Sequence, residues 1–251
     1  MPFTDLLDPA RPLIIAHRGA SGSAPENTLA AFSLAVEQGA QVIEIDVHMT
    51  ADGYPVVIHD ATVDRTTNGT GLVREKNLAD LSRLDAGAWF SPRFAGERIP
   101  TLEEVVAWAK SRVALAIEIK NAPYCYAGVE ASVTGVLKRH DAIEENEVFS
   151  FDHLCVMRIK DREPHLLTGV CYVADPPDHR VLAAAANATA LHPMYHYLRA
   201  EAVRDAHAAN LLVFPWTVNT YQDIRQMAAL GVDGIVTDFP ERAGEVLASK
   251  R

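Results

Sequence analysis

The stretch Ile43-Glu44-Ile45-Asp46-Val47, followed after a short gap by Val57-Ile58-His59-Asp60, decides the expected fold of this chain of 251 residues. Both segments are short apolar runs of the kind that form buried strands. Residues two apart in a strand share a face, so Glu44 and Asp46 point the same way. Two hard oxygen ligands on one face of a strand suggest a site for a divalent cation.

The connection between these two runs is typical of a tight β-hairpin. It is centred on Asp52-Gly53, a strong hairpin signal, so the two segments are expected to pair antiparallel. If Ala51 faces Tyr54, then Asp46 lies opposite His59. One local hairpin would then bring a metal ligand and a titratable imidazole to the same place.

Length and composition favour one domain that spans residues 1–251. Apolar residues make up 49% of the chain, which is enough for a full core, and barrels of this length commonly form a single domain. No apolar run approaches the roughly 18 to 20 residues that span a bilayer, and residues 1–11 do not resemble a secretion signal. The expected location is the cytoplasm, with no integral membrane segment.

The charge balance argues against a polyanionic partner. The 33 acidic residues exceed the 23 basic ones, and the formal net charge is −10, so nucleic acid is not expected as a partner. A small anionic substrate is compatible with this charge, because a bound cation and a few local basic residues can reverse the potential inside one cleft.

The three cysteines are expected to be buried thiols. Cys125, Cys155 and Cys171 are odd in number, show no CxxC spacing and lie within apolar or helical patterns. Structural zinc and disulfides are therefore not expected.

Short apolar runs alternate with segments of helical period, which is typical of βα units around a parallel sheet. Nine strand candidates result, one more than an eight-stranded α/β barrel needs. The run at 56–59 is the odd one, because a tight hairpin cannot join parallel strands, and its place in the barrel is open. The nine candidates are residues 13–17, 42–47, 56–59, 115–120, 148–151, 166–172, 189–192, 212–218 and 234–237.

Ordinary signals bound the helices between these runs. Helices are expected at 26–38, at 102–110 behind a capping box of Thr101 with Glu104, and at 200–209, where Asn210 ends the helix in a left-handed conformation. Between residues 60 and 100 the periodicity breaks down, with one weak helix near 78–84. We expect this segment to be an insertion over one mouth of the barrel, because long connections usually have a binding role.

Polar residues that end apolar runs are the candidates for chemistry, because βα barrels form their active sites at the C-terminal ends of the strands. Glu118 and Lys120 alternate along one strand and should both face the interior. A single interior carboxylate belongs to a structural ion pair about as often as it has a functional role. Three carboxylates, Glu44, Asp46 and Glu118, would repel one another, which favours an oxygen-seeking cation such as Ca²⁺ or Mg²⁺ over zinc.

Two histidines suit general acid/base catalysis. His17 and His59 both follow apolar runs, and imidazole titrates near neutral pH. His192 is a further residue that could line the pocket. The remaining histidines are expected to be surface residues without a catalytic role: His48, His140, His153, His165, His179, His196 and His207.

Three residues are candidates for substrate binding. Arg18 and Lys120 would hold a phosphate oxygen, and the alternative is a salt bridge from Arg18 to Glu26 or Asp238. Trp216 ends a strand, where it is either a packing residue or a platform for the carbon skeleton of an alcohol.

Many ordered motifs from Ile15 to Glu241 resemble the glycerophosphodiester phosphodiesterase family. They are His17-Arg18-Gly19, Pro25-Glu26-Asn27-Thr28, Ile43-Glu44-Ile45-Asp46-Val47, Thr50-Ala51-Asp52-Gly53, His59-Asp60, Asp64-Arg65-Thr66-Thr67-Asn68-Gly69, Pro100-Thr101-Leu102, Glu118-Ile119-Lys120, Ser150-Phe151-Asp152, Trp216-Thr217-Val218-Asn219 and Gly231-Val232-Asp233-Gly234-Ile235-Val236-Thr237-Asp238.

The resemblance implies a TIM barrel with a small insertion after the third strand. It implies that His17 and His59 are the acid/base pair and that Glu44, Asp46 and Glu118 bind Ca²⁺ or Mg²⁺. The implied reaction is hydrolysis of glycerophosphodiesters, such as glycerophosphocholine, to sn-glycerol 3-phosphate and an alcohol.

Two other functions compete with this one. A phosphodiesterase acting on lysophospholipids or glycerophosphoinositol would use the same core with a different pocket lining. A catalytically silent barrel that binds glycerophosphodiesters is less favoured, because no histidine or metal carboxylate of the motif is missing.

Overall fold

A computed structural model describes residues 1–248 of the chain. Its strands are β1 (Leu13–His17), β2 (Val42–Met49), β3 (Pro55–Val57), β4 (Ala114–Ile119), β5 (Glu147–Ser150), β6 (Leu167–Tyr172), β7 (Ala190–Pro193), β8 (Leu212–Val213) and β9 (Gly234–Thr237). Its α-helices are α1 (Leu29–Glu37), α2 (Leu78–Leu81), α3 (Leu102–Ala109), α4 (Val129–Arg139), α5 (His153–Arg162), α6 (Arg180–Ala186), α7 (Ala200–Ala208), α8 (Tyr221–Leu230) and α9 (Pro240–Ala248). No helix within residues 1–248 is long and apolar enough to cross a bilayer.

Eight of the strands form a parallel barrel. They are hydrogen-bonded in the order β8-β7-β6-β5-β4-β2-β1-β9. Backbone hydrogen bonds from Asp233 to Val213 and from Val236 to Pro215 bring the β9 end of this ring against the chain around β8. The fold is therefore a TIM barrel, as the sequence predicted, with helices between successive strands.

The ninth strand lies outside the ring. β3 pairs antiparallel with β2 only, as the Asp52-Gly53 signal predicted. The expected register was wrong by one residue, because Val47 pairs with Val57 and Asp46 therefore lies opposite Ile58 rather than His59. The turn holds three residues between Thr50 and Tyr54 instead of two, and Gly53 adopts a φ of 83° in it.

Alternation along the strands separates two apolar layers. One face of the strands packs against the helices, and the other fills the barrel interior with residues such as Ile15, Ala116 and Phe149. Phe3 belongs to this interior cluster, where its ring meets Phe214 edge-on at 6.1 Å. Side chains therefore fill the barrel interior, which is a packed core and not a pore.

Residues 60–100 form the expected insertion between β3 and α3. A small apolar cluster of its own holds it together, including Val63, Leu81 and Ile99, and this cluster reaches Val56 and Ile58 of the β3 region. The weak helix expected at 78–84 is shorter, ending at Leu81. The insertion is thus anchored to the chain segment that ends at His59.

The predicted helix caps are confirmed, whereas some predicted bounds of helices and strands were wrong. Thr101 and Glu104 form the capping box of α3, and Asn210 has a φ of 57° after α7. The helix expected from residue 26 begins at Leu29, because Asn27 has a φ of 57° and Thr28 caps the helix. The strand expected at 212–218 ends at Val213.

Two predictions about burial were wrong in part. Cys155 and Cys171 are buried thiols, but Cys125 is exposed. It follows β4 in a loop and lies outside the apolar layers. His48 and His179 were expected at the surface and are buried, with 2% and 6% of their surface exposed.

Candidate active site

The turn after β1 begins the site. Arg18 has a φ of 58° and Gly19 a φ of 82°, so the chain reverses sharply after His17. A Cβ at Gly19 would lie 2.7 Å from the backbone of Ala31, so only glycine fits there. The reversed Arg18 amide donates a hydrogen bond of 2.8 Å to Glu44 Oε2.

Three carboxylates converge from β2 and β4. Asp46 pairs in register with Glu118, and Glu44 lies two residues before Asp46 on the same face. All three are buried, with 2%, 0% and 7% of Glu44, Asp46 and Glu118 exposed. One oxygen atom from each lies within 4.8 Å of the others.

The charges of these carboxylates are only partly balanced by the chain. Burial and the neighbouring carboxylates Asp46 and Glu118 raise the pKa of Glu44 well above its usual range. Burial also raises the pKa of Glu118. Burial alone would raise the pKa of Asp46 as well, but the Lys120 and Arg18 cations outweigh it and lower that pKa.

The donor set fits a divalent cation. Glu44 Oε1 is buried and has no hydrogen-bond partner among residues 1–248. Asp46 Oδ1 forms an ion pair with Lys120 Nζ at 3.0 Å but accepts no hydrogen bond from any of the residues that the structure describes. Buried carboxylate oxygens without donors are the ligands that Ca²⁺ and Mg²⁺ prefer.

The two basic candidates are already engaged in ion pairs. Arg18 contacts Glu26 at 3.0 Å and Asp46 at 3.3 Å. The alternative of an Arg18–Glu26 salt bridge is thus present in the structure. Lys120 contacts Glu118 at 2.7 Å, and the Asp46 and Glu118 charges raise its pKa although burial opposes them.

His17 is held by a carboxylate from the far end of the chain. Its Nδ1 lies 2.6 Å from Asp238 Oδ1. Asp238 also accepts hydrogen bonds from Ser21 and Asn219, at 2.9 and 2.6 Å. Burial alone would raise the pKa of Asp238, but these hydrogen bonds lower it, so the carboxylate stays ionised and fixes the His17 ring.

His59 is held by a carboxylate in the same way as His17. Its Nδ1 lies 2.7 Å from Asp60 Oδ1, and Arg65 donates two hydrogen bonds to the same carboxylate. Burial lowers the pKa of His59, and the Lys120 and Arg18 charges add to this effect, although Asp46 and Asp60 oppose it. Because each histidine uses Nδ1 for its carboxylate, Nε2 is the ring nitrogen left for a ligand.

A cavity of about 200 Å³ joins these groups. His17, Arg18, Glu44, His59, Glu118 and Lys120 line one part, and the apolar part includes Phe149, Phe151 and Trp216. Every predicted site residue except Asp46 therefore lines this cavity, and Asp46 lies directly behind the lining, in contact with Arg18 and Lys120. The C-terminal ends of the strands supply this lining, as expected for a barrel.

Comparison with known sequences identifies the family. The profile of the glycerophosphoryl diester phosphodiesterase family matches residues 17–242. The chain belongs to this family.

Relatives and solved structures agree with this assignment. A glycerophosphodiester phosphodiesterase from Caldanaerobacter subterraneus subsp. tengcongensis is 44% identical over 230 residues, covering 91% of this chain and 95% of the relative. A phosphodiesterase from Oleispira antarctica, solved in complex with the product sn-glycerol-3-phosphate, is 33% identical, with a TM-score of 0.87 and coverage of 95% and 98%. A glycerophosphodiester phosphodiesterase from Agrobacterium tumefaciens is 31% identical, with a TM-score of 0.83 and coverage of 93% and 99%.

These comparisons confirm three predictions made from the sequence. The family, the TIM-barrel fold and the assignment as a phosphodiesterase of this family are as expected. The acidic cluster and the family together support a divalent metal site.

In this member of the glycerophosphoryl diester phosphodiesterase family, Trp216 and His192 both line the cavity. Trp216 packs edge-on against Phe151 at 5.6 Å and donates a hydrogen bond to the His192 carbonyl. It is thus both a packing residue and part of the lining. His192 lies 2.7 Å from Glu147 and stacks on Phe149, and it lines the pocket, as the sequence suggested it could.

Three residues that contact the site were not predicted from the sequence. Asn27 donates a hydrogen bond of 2.8 Å to Asp46 Oδ2. His48 Nε2 donates to the His59 carbonyl at 2.9 Å, while its Nδ1 lies 2.8 Å from the Tyr126 hydroxyl. Arg65 contacts Asp60. Asn27 and Arg65 belong to the motifs that carry the family resemblance, which is the signal that could have pointed to them.

Other polar residues at strand ends are structural. Ser150 donates to the Ile119 carbonyl, and Asp152 caps α5. Asn219 donates to Asp238 and accepts from its backbone amide. These residues hold the loops that carry the site.

Proposed function

We propose that this chain hydrolyses glycerophosphodiesters, such as glycerophosphocholine and glycerophosphoethanolamine, to sn-glycerol 3-phosphate and an alcohol. One observation carries the proposal. Two histidines, each oriented by a carboxylate, face the same cavity as a cluster of three buried carboxylates. This combination supplies proton transfer and charge stabilisation, which are the two requirements of displacement at phosphorus.

The size of the cavity supports a small substrate. Its volume of about 200 Å³ is below the roughly 300 to 1,000 Å³ typical of sites for drug-sized ligands. A glycerophosphate group is small and polar and suits the charged part of the lining. The apolar part, at Phe151 and Trp216, suits the carbon skeleton of the alcohol.

Glu44, Asp46 and Glu118 would hold the divalent cation, Ca²⁺ or Mg²⁺. When bound, the cation would supply positive charge to a phosphate oxygen on which negative charge develops. Asn27 would keep Asp46 oriented through its hydrogen bond to Oδ2. Arg18 and Lys120 would add further positive charge at the phosphate.

The histidines would move the protons. We assign His17 as the base: its Nε2 takes the proton of the glycerol 2-hydroxyl, whose oxygen attacks phosphorus. Asp238 accepts the hydrogen bond from Nδ1 and stabilises the imidazolium that forms. His59 Nε2 gives its proton to the oxygen of the leaving alcohol as the P–O bond breaks.

Water then opens the cyclic phosphate with the two roles reversed. His59 takes a proton from the water, and His17 returns its proton to the 2-oxygen. For the first step His59 must be protonated, although its pKa is lowered in the free protein. The negative charge of the bound phosphodiester favours that proton.

Product release is the test of this proposal. We expect the purified protein to release sn-glycerol 3-phosphate from glycerophosphocholine or glycerophosphoethanolamine. Activity should disappear in EDTA and return with Ca²⁺ or Mg²⁺, and the cation that restores it identifies the metal. Turnover of lysophospholipids or glycerophosphoinositol alone would replace the proposed substrate, and no turnover of any phosphodiester would favour a binding protein.

We propose further that residues 1–251 act as one domain in the cytoplasm, without a nucleic-acid partner. The net charge of −10 supports the last point, because a polyanion would be repelled. Fractionation of cells that express a tagged chain tests the location.

A further inference from the structure

Arg65 links two parts of the site that are far apart in sequence. Its Nε and Nη2 donate to Asp60 at 2.7 and 3.0 Å, and Asp60 holds His59. Its Nη1 and Nη2 donate to the two oxygens of Glu26 at 2.7 and 2.8 Å, and Glu26 accepts from Arg18.

These contacts form one continuous chain of charged groups. The chain runs from His59 through Asp60, Arg65 and Glu26 to Arg18, which contacts the carboxylate cluster at Asp46. Asp60 and Arg65 both belong to the insertion, and Glu26 lies in the loop before α1. Arg65 thus joins the insertion to the loop before α1.

The contacts of Arg65 depend on the shape of its guanidinium. The planar group satisfies two carboxylates at once, which the single ammonium of a lysine cannot reproduce. The Arg65 side chain is 44% exposed, so solvent screens its ion pairs and limits their contribution to stability. The four hydrogen bonds therefore hold parts of the site together as well as stabilising the fold.

We propose that Arg65 is a positioning residue that fixes His59 through Asp60 and Arg18 through Glu26 at the same time. The inference rests on the proposed function, since it assigns His59 to proton transfer and Arg18 to phosphate binding. It requires the fork geometry of the guanidinium, not merely a positive charge.

Kinetics of Arg65→Gln and Arg65→Lys test the proposal. Both variants should lose roughly 10- to 100-fold in kcat/KM, because small misplacements of reacting groups have effects of this order. The loss should divide between kcat, through His59, and KM, through Arg18. Full activity in Arg65→Lys would overturn the fork geometry, and a normal kcat in both variants would overturn the link to His59.

Arg180→Lys is the matched control. Arg180 also donates two hydrogen bonds to one carboxylate, Asp178, but this pair is exposed and outside the cavity. The Arg180→Lys substitution should leave kcat and KM unchanged. Thermal unfolding of all three variants shows whether any loss of activity reflects loss of fold.

A crystal structure of Arg65→Gln tests the proposal without reference to turnover. We expect the carboxylate of Asp60 or Glu26 to leave its place, with a shift of the His59 ring or the Arg18 guanidinium. If all four side chains keep their positions, the inference is wrong. A wild-type protein inactive on every phosphodiester would instead contradict the proposed function, while this structure would still decide the role of Arg65.

Discussion

His17 and His59 both line the cavity, and each uses Nδ1 for a carboxylate, which leaves Nε2 for a ligand. At the scale of the residue, this arrangement sets the tautomer of each ring, because an ionised carboxylate can only accept a hydrogen bond. Asp238 and Asp60 therefore keep the proton on Nδ1 of the neutral rings. Nε2 is then free to accept or return a proton.

Replacing either histidine should abolish most of the activity. We expect His17→Ala and His59→Ala to lower kcat by roughly 10²- to 10⁴-fold, which is the usual contribution of general acid/base catalysis. His165→Ala is the matched control, because His165 is exposed just before β6, at the opposite end of the barrel. Steady-state kinetics measure the effect, and full activity in a folded His17→Ala or His59→Ala protein would refute the mechanism.

Asp60 should give the protein a measurable dependence of stability on pH. Hydrogen bonds from Arg65 lower the pKa of Asp60 below its ordinary value, although burial opposes them. Because the folded-state pKa is the lower one, the stabilisation is fully present above the unfolded value of about 3.9 and is lost as pH falls toward the folded value. Wild type should therefore be more stable than Asp60→Asn at pH 7.

Urea unfolding at pH 7, 5, 4 and 3 measures this difference. The gap in the free energy of unfolding between wild type and Asp60→Asn should stay constant from pH 7 to 5. It should then shrink below about pH 4, because the carboxyl of Asp60 takes up a proton in the unfolded chain while it is still ionised in the folded protein. A gap that does not change with pH would mean that Asp60 stabilises the fold by packing alone.

At the scale of the element, local rules predicted what local geometry controls. Asn210 tolerates a left-handed backbone, and the structure gives it a φ of 57°. The predicted hairpin register was wrong because the turn is one residue longer than expected. The Thr50 hydroxyl accepts a hydrogen bond from the Tyr54 amide and donates one to Asp52, and these bonds stabilise the longer turn. Side-chain hydrogen bonds of this kind are not visible in a two-residue turn signal.

Asn210 offers a test of the end of α7. The Leu211 amide returns to the Ala206 carbonyl at 2.9 Å, so the left-handed residue is part of the helix terminus. Asn210→Val should lower the free energy of unfolding by about 1 to 2 kcal/mol, because a β-branched residue resists a positive φ. Asn210→Gly should change it by no more than about 0.5 kcal/mol.

Chemical denaturation of both Asn210 variants measures the effect. Activity should be unchanged in both, because α7 contributes nothing to the cavity lining. Equal destabilisation by valine and glycine would show that the asparagine side chain, rather than its backbone conformation, matters there.

At the scale of the whole molecule, the site exists only when the barrel closes. His17 and Asp238 are 221 residues apart in sequence and lie on the adjacent strands β1 and β9 or just beyond them. Active sites of βα barrels form at the C-terminal ends of the strands, and all parallel strands of a barrel point the same way. The candidate residues could therefore be placed at one mouth from the sequence alone. This rule did not reveal the partners Asn27, His48 and Arg65, whose roles depend on how separate loops meet.

The same convergence links metal binding to stability. Folding buries Glu44, Asp46 and Glu118 together, and burial raises the pKa of two of them, so the free protein holds unfavourable charge in its interior. A cation that binds only the folded chain at 100 times its Kd stabilises it by about 2.7 kcal/mol. For a domain of this size we expect a rise in Tm of roughly 5 to 10 °C.

Thermal unfolding in EDTA, and with Ca²⁺ or Mg²⁺ added, measures this rise without any substrate. Glu44→Gln should lose most of the shift, because it removes a charge from the cluster while keeping an oxygen that can accept from the Arg18 amide. Glu201→Gln, at an exposed position on α7, should keep the full shift. A Tm that no divalent cation raises would contradict the metal site, whatever the protein turns over, because ligands that bind the folded state must stabilise it.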